Sequence, residues 1–350
     1  MGKVKTGSLT YAVVRSHALI ADLLNSNQMR TIASTDSVED FISQIAQTPY
    51  GQVTLEPDVN PSISLERVFY RKFIERIVKI VDIVPSDIGD LLQTYYYMRF
   101  ETLNLDRIIR GKFSDATPAE IQANLVPMMP YRAPSYQALS EAADIDALLE
   151  LLKGTAYNPI AEKLSVYKQY DAIWPLQLEL QHIYSLTILR RVEKLPRSQR
   201  RMVSKIVELE ADIENFLIAV KQSRAPKEGE GFKPEEMFDA TYGISKDILH
   251  MVVEGADLRD SVESLGEPFS SILAPMYEGD VALIRTNLRS QIHRTVNEAR
   301  AGNDFGFNTI MAYLVFSELE KDDLVGIAWA KEQGLQGEEF IKYLVVPNVS

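Results

Sequence analysis

The side chains best able to do chemistry in this sequence are paired carboxylates, four histidines and one dense run of basic residues. Glu318 with Asp322, or Asp322 with Asp323, could serve as metal ligands or as an acid–base pair. No histidine or glycine loop accompanies them, so a solvated acidic helix face is the plainer reading. None of His17, His182, His250 and His293 has a second histidine three or four residues away, so no two could chelate a metal from one helix turn. Glu228-Gly229-Glu230-Gly231 lacks the Lys-Ser/Thr of a nucleotide loop, and its acidic residues would repel phosphate. It reads instead as part of a charged linker over Arg224 to Pro234. With no cysteine, disulfides, thiolate zinc sites and cysteine nucleophiles are excluded. The expectation is therefore no catalytic residue, no metal, no cofactor and no bound nucleotide.

The basic run is the most local electrostatic feature. Arg190, Arg191, Lys194, Arg197, Arg200 and Arg201, continuing to Lys205, face a single acid, Glu193, in a chain whose net charge is -12. Arg190, Arg191 and Lys194 could offset the negative end of a helix dipole, leaving a solvated turn. Arg200 and Arg201 would sit poorly at the start of the next helix unless something anionic offsets them. The six side chains from Arg190 to Arg201 are thus candidates for contact with an acidic partner surface or anionic lipid headgroups. The acidic balance elsewhere, 37 basic against 49 acidic residues, argues against nucleic acid as a partner.

The elements that must carry these residues read as helices throughout. Leu65, Val68, Phe69, Phe73, Ile77, Ile80, Val81 and Val84 step by three and four, as do Met202, Ile206, Leu209, Ile213, Phe216, Leu217 and Val220. No alternating run bounded by turn residues makes a convincing strand. Ser37 before Val38 and Thr117 before Pro118 and Glu120 are N-cap signals. Gly111 with Pro118 is read as turn chemistry between helices. Tyr95, Tyr96 and Tyr97 cannot share one helix face, because successive side chains are about 100° apart. The opening Met1–Thr10 has no apolar core and is not read as a signal peptide, and no run approaches the length of a spanning helix.

The chain also repeats itself. Shifted by 111 residues, Asp212, Asn215, Phe216 and Lys221 fall on Glu101, Asn104, Leu105 and Arg110. Shifted by 219, Glu320, Asp323, Leu324, Ile327 and Lys331 fall on Glu101, Asn104, Leu105, Ile108 and Lys112. A second block, Val38 through Thr48 and Tyr50, matches Ile145 through Thr155 and Tyr157 at a shift of 107, with a weaker version at Leu258 to Leu265. The organisation this predicts is three helical-bundle domains, at 1–128, 129–234 and 235–350.

Tyr11-Ala12-Val13-Val14-Arg15-Ser16-His17-Ala18, Thr48-Pro49-Tyr50 and Arg99-Phe100-Glu101…Asn104-Leu105…Arg110-Gly111-Lys112 together resemble the C subunits of archaeal and bacterial A/V-type rotary ATPases, whose eukaryotic counterpart is the d subunit. The similarity runs from about Tyr11 to Val346. Copy two departs with Asp212 for Glu101, and copy three with Asp323 for Asn104. Such drift suits a packing signature better than a catalytic motif. The resemblance implies a funnel of three bundles with approximate threefold symmetry, peripheral to the cytoplasmic face of the membrane. It also implies two partners, the proteolipid rotor ring and the central shaft, and a mechanical role coupling ion flow to ATP synthesis or hydrolysis. A free-standing helical scaffold binding an unrelated protein is the alternative, and an enzyme with an unusual helical site comes third.

Overall fold

The computed structural model describes residues 8–57, 59–224, 241–302, 305–335 and 337–349. Part of Met1–Thr10 and nearly all of the Arg224–Pro234 linker candidate, including Glu228 to Gly231, lie outside them. Within the described residues the chain is all-helical, with no strand. The first helices are α1 (Leu9–Ala21), α2 (Ser26–Ala33), α3 (Val38–Ile45), α4 (Pro61–Val81) and α5 (Ser86–Phe113). Short elements follow: α6 (Pro118–Ala123), α7 (Tyr136–Glu141), α8 (Ile145–Leu152), α9 (Asn158–Glu162) and α10 (Leu164–Tyr170). Next come α11 (Trp174–Val192), α12 (Arg197–Ser223), α13 (Lys246–Glu254), α14 (Leu258–Ser264) and α15 (Phe269–Leu273). The chain closes with α16 (Val281–Gly302), α17 (Phe307–Glu332) and α18 (Gly337–Phe340).

Local chemistry sets the starts. Ser37 accepts from the Asp40 amide at the head of α3, and Thr117 forms a full capping box with Glu120 at α6, where Pro118 has no amide to satisfy. The stripes face inward as the periodicity requires: Leu65, Phe69, Phe73, Ile77 and Ile80 are buried on α4, as are Met202, Ile206, Leu209, Ile213 and Phe216 on α12. Tyr95 and Tyr96 are buried, while Tyr97 is half-exposed with its ring edge-on to Tyr131.

Gly111 does not stand in a turn between helices. It lies inside α5, which runs to Phe113, and the turn follows it. Its smallness serves packing, because a Cβ there would stand 2.5 Å from Ile121 Cγ1. The glycine lets α6 press against the last turn of α5.

The chain divides into two compact units, Met1–Gln93 with Arg285–Ser350, and Thr94–Ile284. In the first, α17 packs along α4 and α1. Its core joins Phe41, Ile45, Tyr50, Leu65 and Phe69 from the early chain to Leu324, Ile327 and Leu344 from the end. In the second, α12 packs against α11 and α13. Each fully buried Phe or Leu in these cores contributes roughly 1.5–3 kcal/mol.

Candidate functional site

Three buried carboxylates occupy the positions that the repeat aligns. Glu101, midway along α5, is wholly buried and accepts from the amides of Tyr131, Arg132 and Ala133 at 2.6–3.0 Å. Its second oxygen also accepts the hydroxyl of Tyr157 at 2.8 Å. Asp212 on α12 does the same for the amides of Tyr242, Gly243 and Ile244, at 2.5–3.2 Å. Glu320 on α17 accepts the Leu24 amide at 2.5 Å, the Tyr50 hydroxyl at 2.7 Å and Arg76 Nη1 at 2.7 Å. Charge-assisted bonds of this kind are short and about twice as strong as neutral ones. Each carboxylate thus ties an irregular segment of backbone, which has no helical partners of its own, to the middle of a long helix.

The registers agree. Tyr131, Arg132 and Ala133 lie 30 to 32 residues after Glu101, as Tyr242, Gly243 and Ile244 lie after Asp212. Tyr50 and Tyr157 are aimed by the same device. Thr48 donates its hydroxyl to the Ile45 carbonyl and accepts the Tyr50 amide, and Thr155 does likewise with Leu152 and Tyr157. The tyrosine of one sequence repeat therefore closes the carboxylate of the preceding one, and Tyr50, near the start of the chain, closes Glu320, near its end. Burial and the adjoining carboxylate push both phenols far above the usual tyrosine range, so they remain donors.

One turn further along the helix a second tie repeats. Asn104 donates to the Val126 carbonyl and accepts its amide; Asp323 accepts the amides of Val345 and Val346. The offset is 22 residues in both cases for the first valine. Burial, opposed by Arg289 and the two amides, pushes the Asp323 carboxyl up to about 7. Asp322, its candidate acid–base partner, instead pairs with the buried Lys321 at 2.6 Å, whose ammonium stands 3.9 Å from the centre of the Tyr70 ring.

The basic run lies where helix reading places it. Arg190 and Arg191 occupy the last turn of α11, Lys194 the connection, and Arg197, Arg200 and Arg201 the start of α12. Arg190, Lys194, Arg197 and Arg201 are exposed, and Arg191 and Arg200 half-exposed. Among the described residues none of the six has an ion-pair partner. Pro196 caps α12 without a side-chain acceptor, and no acid stands in its first turn. The α12 dipole and its arginines are thus of one sign, with nothing anionic paired to them among the described residues. Arg99, named above only as part of a motif, meets Glu210 through two bonds of 2.9 and 2.6 Å and joins α5 to α12 within the second unit.

His182 is buried beside Glu179, and His293 stacks on Phe316 with its pKa lowered by burial and by Arg300. No group of three His, Asp or Glu side chains among the described residues is placed to hold a metal. No helix among them is long and apolar enough to cross a membrane.

Comparison with known proteins finds one family along most of the chain. The profile of the family described as ATP synthase (C/AC39) subunit matches residues 12–343. The C subunit of the A-type ATP synthase of Pyrococcus abyssi (strain GE5 / Orsay) is 21% identical over 341 residues, covering 96% of this chain and 90% of that protein. The corresponding A-type ATP synthase protein of Methanocaldococcus jannaschii is 22% identical over 348 residues, covering 96% and 86%. That of Halorubrum lacusprofundi is 20% identical over 361 residues, covering 99% and 100%. The family match spans nearly every described helix: this chain belongs to the ATP synthase (C/AC39) subunit family.

Proposed function

We propose that the chain is a non-catalytic central-stalk subunit that links the membrane rotor ring to the central shaft of an A/V-type ATP synthase or ATPase, coupling ion translocation to ATP synthesis or hydrolysis. The observation that carries this reading is how the buried carboxylates are used. Glu101, Asp212 and Glu320 spend their oxygens on backbone amides, tyrosine hydroxyls and one arginine, which stiffens a frame. A torque-bearing coupler needs irregular connections that do not yield, and charge-assisted bonds in a low-dielectric interior supply that. The subunit would act on the cytoplasmic side as a peripheral member of the complex. Three related helical domains, at 1–128, 129–234 and 235–350, arranged about a pseudo-threefold axis as a funnel, are part of this proposal. The shared bonding registers support it.

The basic turn is the contact we assign to the ring or its lipid rim. Arg190, Arg191, Lys194, Arg197, Arg200 and Arg201 would act together, since one exposed pair is worth only about 0–1 kcal/mol. The test is retention of detergent-solubilised ring by wild type and by the triple variant Arg197→Glu, Arg200→Glu, Arg201→Glu across a salt series. Wild type should retain ring and shaft subunits. The variant should lose most at low salt and differ little at high salt, where screening sets in over about 10 Å at 0.1 M. Equal retention at every salt moves ring binding to another face; no ring with either protein sinks the rotor reading. Saturable ATP binding by calorimetry would contradict the non-catalytic assignment.

A further inference from the structure

Two of the three aligned carboxylates are closed by a tyrosine, and the third is not. Tyr50 follows Leu24 by 26 residues and Tyr157 follows Tyr131 by 26, each pair meeting on one carboxylate. The same spacing of 26 from Tyr242 falls on Pro268, and the next residue is Phe269, whose ring has no hydroxyl to give Asp212. Tyr50 and Tyr157 are buried, whereas Phe269 is half-exposed. Its ring lies so close over Gly243 that a Cβ there would stand 2.6 Å from its Cζ atom. Beside it opens a cleft of about 510 Å³, lined among others by Lys205, Glu208, Asp212, Tyr242 and Phe269.

Among the described residues the charges in this cleft are unbalanced. Glu208 stands one helical turn before Asp212 on the same face of α12. It is half-buried, and among the described residues it has neither a hydrogen bond nor an ion pair. Burial pushes both carboxyls up, and Glu208 adds to the effect on Asp212. Lys205 is exposed and bridges neither. Glu320 shows what such a group accepts when its surroundings are complete: a tyrosine hydroxyl and, from Arg76, a guanidinium. Neutral donors would satisfy Asp212 alone, whereas a guanidinium would satisfy Asp212 and Glu208 together and lie flat on the Phe269 ring.

We infer that the cleft between α12 and Phe269 receives an arginine side chain from a partner protein of the complex. This rests on the proposed membership of a rotary assembly, and the test separates the two. A photo-cross-linking amino acid at Thr241, another residue of the cleft wall, is introduced into the chain in the assembled, membrane-extracted complex. Mass spectrometry should find a cross-link to an arginine-containing peptide of another protein of the assembly. Glu208→Gln should lower its yield by about tenfold, less than the loss of a fully desolvated pair because Glu208 is half-exposed. Phe269→Tyr, which supplies the missing hydroxyl from within, should lower it as well. Cross-links only within this chain, residues 225–240 included, would overturn the inference. So would a partner peptide whose arginine can be replaced by alanine without loss of yield. If the chain still co-purifies with ring and shaft in those cases, only the cleft assignment falls.

Discussion

Glu101 and Asp212 lie in the same compact unit, on aligned positions of two long helices, and each holds three consecutive amides from 30 to 32 residues downstream. The first is sealed by a buried tyrosine; the second, one methylene shorter, faces a half-exposed phenylalanine and an open cleft. The part kept in both is the tie to the backbone, so that tie is the structural task of the motif. The part that varies is what covers it. A carboxylate sealed in the core is a strut; the same carboxylate beside a cleft can also be a receptor.

The largest effect should come from cutting the sealed strut. Glu101→Ala leaves three amides and the Tyr157 hydroxyl without an acceptor in a dry site, at about 1–3 kcal/mol for each buried group left unpaired. A total loss of at least about 4 kcal/mol is expected, the four groups each at the low end of that range. Asp212→Ala should lose roughly half as much, because water entering the cleft can replace the acceptor. Urea unfolding of both variants measures the gap. Equal losses would mean that the two sites are equally dry, and the comparison would fail.

Smaller effects follow from exchanging the covers. Tyr157→Phe removes one hydrogen bond to a charged group and should cost about 1.5–3 kcal/mol. Phe269→Tyr supplies the same bond at Asp212 and should stabilise by about 1 kcal/mol. Destabilisation by the second change, seen as a lower melting temperature, would show that the Phe269 ring does not aim at Asp212.

A further effect depends on pH, at the second tie. Asp323, pushed up to about 7 by burial despite Arg289 and the Val345 and Val346 amides, stands where the first repeat has Asn104. Between its unfolded value near ~3.9 and 7 the folded chain binds the extra proton. Its contribution to stability therefore falls as pH rises through that window and stays level above it. Asp323→Asn should match wild type near pH 4, gain over it progressively, and hold a constant lead above pH 7 in melting experiments. A lead independent of pH would assign the effect to packing.

Much of the frame was legible in the residues. Periodic apolar positions marked the helices, Ser37 and Thr117 marked two starts, and the alignment of Glu101, Asp212 and Glu320 marked three equivalent sites, because these are local or repeated patterns. Gly111 was misread because a glycine near a helix end usually signals a turn, and only its distance to Ile121 shows that it makes room. The Thr-x-Tyr and Glu-x-x-Asn motifs were both visible, but their union was not, since Tyr50 and Glu320 are 270 residues apart.

The sequence by itself determined the all-helical class, the inward face of each stripe, the shared registers and the family, for all of these follow from spacing along the chain. Which tyrosine closes which carboxylate was decided only by the tertiary structure. So were the open Asp212 cleft and the lack, among the described residues, of ion-pair partners for the basic turn. A buried charge is satisfied by whichever donors the packed helices bring within about 3 Å, and burial, which sets what that satisfaction is worth, exists only once the helices are packed.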